Sequence, residues 1–346
     1  MKTTLLMTLA LFALLVGNLN AQFSGGDGTE NNPYKITSKK DLKELADSVA
    51  NSPFNNPITH YNWSKNKYFI LMNDINDTIM FSIGKLEEGG FEKAFQGNFD
   101  GNNKKIILAL NTSTGILGLF SLIYNGIIEN LIVDGYVNGI INVGGICGIA
   151  YYANISNCKN YGNVNGDVYT GGICGVAYYT NISNCKNYGN INGKNYVGGI
   201  TSCLIALSDT STKYSILYCE NSGNVSGVFV VGGISGHIHD DAEYSYCINI
   251  GTIKGDSIVG GIAGGSDHDN LYFDSTGNIY NSVNSGLVIG KNIVGGIIGR
   301  CRGEIKNCLN TGVVKGNTKT GCIVGESQGG TIINCHYDKQ ICGGGE

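Results

Sequence analysis

Proline is nearly absent from this chain, at 3 of 346 residues, and charged residues make up only 14%. Disorder is excluded, because a disordered chain needs high net charge and little to bury, whereas the net charge is −4 and 42% of residues are hydrophobic. No basic run exceeds the pairs Lys39-Lys40 and Lys104-Lys105, which read as solvated surface, so the sequence argues against a nucleic-acid partner. No Cys-x-x-Cys pair occurs, so a zinc site built on thiolates is not expected, and nothing in the sequence calls for a cofactor. Beyond the first two dozen residues no segment is apolar enough to cross a bilayer.

What the chain has in excess is glycine, 53 residues of it, and it is periodic. Gly-Gly pairs stand at Gly144-Gly145, Gly171-Gly172, Gly198-Gly199, Gly232-Gly233, Gly260-Gly261 and Gly295-Gly296, with reduced versions at Gly118 and Gly321-Cys322. A second marker sits inside each copy: Leu131, Cys158, Cys185, Cys219, Cys247, Ser282, Cys308 and Cys335. Three residues earlier comes Ile128, Ile155, Ile182, Ile216, Tyr244, Ile279, Ile305 or Ile332. Copies recurring every 26 to 35 residues indicate a stacked array.

Short β-branched runs punctuated by Gly and Asn, with no helical period, read as brief strands. The predicted fold is all-β: a right-handed parallel β-solenoid of about eight three-strand coils. Coils about 4.8 Å apart place each isoleucine on its counterpart in the next, and eight of them make a rod of roughly 38 Å. The glycines are expected to turn the corners, where positive φ is costly for other residues.

Three regions follow. Lys2, the apolar run Leu5 to Val16 and Leu19-Asn20-Ala21 read as a signal peptide over 1–21 and imply a secreted or cell-surface protein. Residues 22–115 read as an N-terminal capping region with the first solenoid strands. There Ser38 caps a helix with Asp41 three residues on and an apolar stripe of Leu42, Leu45, Ala46 and Val49. Residues 116–346 carry the repeats.

Candidate chemistry lies where the repeats vary in length. The marker-to-glycine distance is always 13, so every insertion falls between the Gly pair and the marker, on one edge of the rod. Tyr151-Tyr152 and Tyr178-Tyr179 are read as loop residues of that edge, either shielding the core or contacting a glycan or surface protein. His237, His239, Asp240 and Asp241 share one loop; Asp267, His268 and Asp269 share the loop a coil later. They read as polar solvated loops, with a divalent-cation site on Asp240, Asp241, Asp267 and Asp269, or acid–base chemistry, as the alternatives. No catalytic residue is assigned. Of 12 cysteines, those at the marker are expected to be buried free thiols, and Cys203, Cys301, Cys322 and Cys342 are the better disulfide candidates.

The segments "GTENNPYKITSKKDLKELADSVANS", "FQGNFDGNNKKI" and "GLFSLI", with the GGI-x-G...NC...G-x-V-x-G repeats, resemble the secreted bacterial repeat proteins that carry GLUG motifs. The resemblance implies a surface β-solenoid of adhesin type. It brings no catalytic residues, since that motif is structural. The functional expectation is therefore binding or adhesion through loops on one edge, with a polysaccharide-cleaving β-helix enzyme as the alternative.

Overall fold

The computed structural model describes residues 23–52, 62–86, 90–113, 115–206, 213–239, 242–265 and 277–342. The chain is a right-handed parallel β-solenoid of about nine turns with one short helix. Nine turns at about 4.8 Å each give a rod of about 43 Å.

A single coil shows how the repeat folds. Cys147–Tyr151 lies on a first face, Asn154–Ser156 on a second, Lys159–Asn160 and Asn163–Asn165 on a third, and Val168–Gly171 on a fourth. Each coil thus uses five short strands over four sheets rather than the expected three strands. Stacking is in register throughout: Cys147 pairs with Cys174, Ile155 with Ile182, Val164 with Ile191 and Gly171 with Gly198.

The inward positions are those the repeat pattern marked. Ile155, Cys158, Val164 and Ile173 are wholly buried, as are Ile182, Cys185, Ile191 and Ile200 one coil on. At the marker the thiols stay free, and each donates weakly to nearby carbonyls, as Cys158 Sγ does to Ser156 O at 3.2 Å. Of the four cysteines expected to bridge, Cys322 and Cys342 form a disulfide, with Cα atoms 5.8 Å apart, while Cys203 and Cys301 are buried thiols.

Glycine's role differs from the expectation. Positive φ belongs mainly to Asn and Tyr: Asn130, Asn157, Asn184, Tyr218, Tyr246, Asn281, Asn307 and Asn334 take it at the corner between the second and third faces. Asparagine tolerates that region better than most residues. The Gly-Gly pairs are not left-handed; they sit where backbones nearly touch. A Cβ on Gly144 would lie 2.1 Å from Cys147 O, and one on Gly172 would lie 2.2 Å from Gly199 O.

A buried amide row runs through the third face. Asn160, Asn187, Asn221, Asn249, Asn284 and Asn310 are at most 1% exposed, and each of the first five donates through Nδ2 to the next Oδ1 at 2.8 Å. Each donation satisfies an amide that would otherwise be costly to bury.

At the N-terminal end, helix α1 (Lys39–Ala50) lays Leu42, Leu45, Ala46 and Val49 on the core. Ser38 is its N-cap and accepts from Asp41 N at 3.3 Å. In the last described coil Ile332 is 48% exposed, although its counterpart Ile305 is buried.

Candidate functional site at the corner of the first and second faces

The three lengthened connections, two of them long and one longer by a single residue, join the same two faces. Residues 207–212 lie between Thr201–Ile205 and Ser215–Leu217, 240–241 between Ser235–Ile238 and Glu243–Ser245, and 266–276 between Ala263–Gly265 and Asn278–Tyr280. These insertions are themselves outside the described residues. So are Asp240, Asp241, Asp267, His268 and Asp269, together with the cation site they were expected to offer.

The tyrosines stand at this corner: Tyr152 and Tyr179 lie in the connection, as expected, whereas Tyr151 and Tyr178 do not. Tyr151 and Tyr178 end strands of the first face, and their rings stack at 4.3 Å with 2° between planes. Tyr152 and Tyr179 turn the corner at φ 51 and 47, and stack at 4.9 Å with 7° between planes. The strict 27-residue repeat forces this, because identical residues in register must lie one above the other. Further rings meet three of the four: Phe91 meets Tyr151 at 4.7 Å, Tyr124 meets Tyr152 edge-on at 6.1 Å, and Tyr214 meets Tyr179 edge-on at 5.5 Å, while Tyr178 is followed in the next coil by Ile205.

This arrangement limits the chemistry. A sugar stacks on an open ring face, and here the faces are turned to each other. The two stacks offer ring edges and hydroxyls at the coil spacing instead. Burial raises the phenol pKa of Tyr151, and of Tyr178 further still, so these hydroxyls remain protonated donors.

His237 and His239 depart from the expected solvated loop. His237 lies within strand Ser235–Ile238, in register with Cys203 and Gly265, and is 6% exposed; His239 is 7% exposed. Their rings meet edge-on at 4.6 Å, and Tyr196 reaches His237 from the fourth face at 5.7 Å. Burial, helped by the neighbouring imidazole, holds His237 at about 3, and burial alone holds His239 at about 4. Strand alternation puts His237 on the outer side of its sheet, where the sequence reading had a loop. Only the tertiary packing covers it.

Among the described residues no group of three or more His, Cys, Asp or Glu side chains is placed to hold a metal ion. No described helix is long and apolar enough to cross a membrane.

No family model matches the chain, the GLUG family included, and no curated protein matches it. Among solved structures, the chain is similar to the crystal structure of a "putative immunoglobulin A1 protease" from Bacteroides ovatus, with 19% identity, 87% of each chain covered and a TM-score of 0.54. That likeness shows the fold: a solenoid of the same kind over most of both chains.

Proposed function

We propose that the chain is an exported solenoid that binds a macromolecular partner, a surface protein or a glycan, through the corner between its first and second faces, in an adhesive role. One observation carries the reading. Three successive coils place their length variation at one corner, and the two tyrosine stacks border it. Variable segments on a rigid repeat scaffold are where such proteins vary their contacts without disturbing the core.

Export rests on the N-terminal Lys2 and the Leu5 to Val16 run. The Cys322–Cys342 disulfide supports it, since such bonds persist in oxidising compartments. The likeness to the Bacteroides ovatus protein supplies the scaffold and not a peptidase activity. Of the acid–base candidates offered by the sequence, the described ones, His237 and His239, are held by burial at about 3 and about 4, which does not suit a general base at neutral pH.

The test is a combined host-protein and glycan array probed with the whole exported chain. Binding is expected, and it should fall about tenfold when Tyr152 and Tyr179 both become Ala, since exposed aromatic anchors dominate such contacts. Cleavage of any arrayed glycan or protein, or binding indifferent to the corner residues, would overturn the reading.

A further inference from the structure

The third face carries tyrosines of a different kind. Tyr161 and Tyr188 stack on each other at 4.6 Å, but the ladder they belong to breaks on either side. The register Lys186↔Glu220 and Asn187↔Asn221 puts Ser222 next to Tyr188, and Glu220↔Ile248 with Asn221↔Asn249 puts Ile250 next again. The backbone repeats accordingly: Tyr188 N donates to Asn160 O, Ser222 N to Asn187 O and Ile250 N to Asn221 O, each at 2.8 Å. A small residue thus stands between two large exposed ones, Tyr188 at 37% and Ile250 at 53%.

Two coil spacings separate Tyr188 from Ile250, about 9.6 Å, and Ser222 fills little of it. The gap is a slot one coil wide. One wall is the outward ring face of Tyr188, the face not used by Tyr161. The opposite wall is the aliphatic side of Ile250.

Its flanks are polar and oriented. On one side Lys186 Nζ and Glu220 Oε2 form an ion pair at 2.8 Å, and Ser222 Oγ donates to Glu220 Oε1 at 3.0 Å. On the other, Asn190 Oδ1 accepts from Asn224 N at 3.3 Å, and Asn224 Oδ1 accepts from Thr252 N at 3.2 Å. Those bonds fix which amide atom is oxygen, so both Nδ2 groups face outward as donors, with no partner among the described residues. A slot with an aromatic wall, an aliphatic wall, a carboxylate and ammonium on one flank and amide donors on the other presents both donors and acceptors around a flat apolar slab. That is the surface of a pyranose: apolar C–H faces and a rim of hydroxyls.

We infer that the slot between Tyr188 and Ile250 is a carbohydrate site that holds one pyranose unit of a glycan, stacked on Tyr188 and hydrogen-bonded to the Lys186–Glu220 pair and the Asn190 and Asn224 amides. This site is on a different face from the tyrosine corner and does not depend on it. A protein partner would need breadth that a slot one coil wide does not offer.

The test is affinity electrophoresis of the whole chain in gels containing galactomannan, xyloglucan, dextran or mucin glycans, followed by titration of the matching oligosaccharide. At least one glycan is expected to retard the protein. Ser222→Leu, which fills the slot on a row that already carries Ile250, and Tyr188→Ala should each weaken that binding about tenfold or more, with circular dichroism and thermal midpoint unchanged. Tyr152→Ala with Tyr179→Ala should leave it intact. Lack of retardation by every glycan, or undiminished binding by Ser222→Leu, overturns the site; loss in the Tyr152 and Tyr179 variant instead assigns the glycan to the corner.

Discussion

Ile200 has no exposed surface, and its neighbours above and below are Ile173 and Ile234, equally buried. Replacing it with Ala removes methylenes that no shift of the two flanking coils can replace, so Ile200→Ala is expected to cost about 2 to 5 kcal/mol in urea unfolding. Lys159 lies in the outward row of the third face, and Lys159→Ala should stay within about 0.5 kcal/mol of the parent. Equal costs would contradict the assignment of inside and outside. The apolar rows were legible because the repeat holds type at those positions while outward neighbours drift. The asparagine row was not. Its members recur two residues after the marker, which is the signal, but a lone Asn reads as a turn residue. Only the amide of the next coil, 2.8 Å away, makes burial affordable. The glycine pairs were legible as corners and misread in mechanism, because a close approach between coils leaves no trace in the backbone preferences of a single residue.

Strand Ser235–Ile238 shows what one element inherits from its neighbours. His237 is outward by alternation, yet Tyr196 and His239 close over it. Both imidazoles are therefore held neutral in the folded chain, at about 3 and about 4, against an ordinary 6.5. The folded pKa is the lower one, so the unfolded chain takes up protons first as pH falls. Stability is complete above about pH 6.5 and declines as the pH drops towards the folded values. Urea midpoints measured between pH 7 and pH 4 should fall, and His237→Gln should flatten that slope. A midpoint independent of pH over this range, once carboxylate variants are accounted for, would contradict the burial of the pair. The same element level explains the tyrosines: a 27-residue repeat in register turns two expected loop pairs into stacks, which withdraws their faces from ligands.

Over the whole molecule each coil touches mainly its neighbours, so damage is expected to remain local. The Cys322–Cys342 bond closes a loop of sequence separation 20 in the last described coil. Loop closure of that size is worth about 3 kcal/mol. Cys322→Ser should therefore fray this coil, opening new protease cleavage between residues 316 and 342, while the main thermal transition moves little. Cooperative loss of the entire rod would show that the coils are coupled more tightly than nearest-neighbour contacts imply.

By itself the sequence determined the parallel solenoid, the inward rows, the capping helix and the edge on which the coils vary, because all of these follow from spacing repeated at fixed offsets. The tertiary structure alone decided the rest: which rings are covered by their own copies, that His237 and His239 are dry, that the asparagines bond in a line, and that Ser222 leaves a gap between Tyr188 and Ile250. The reason is physical. A repeat states what each coil places at a position, whereas exposure, titration and ring access depend on what the coils on either side place against it, and these differ wherever the repeat is broken.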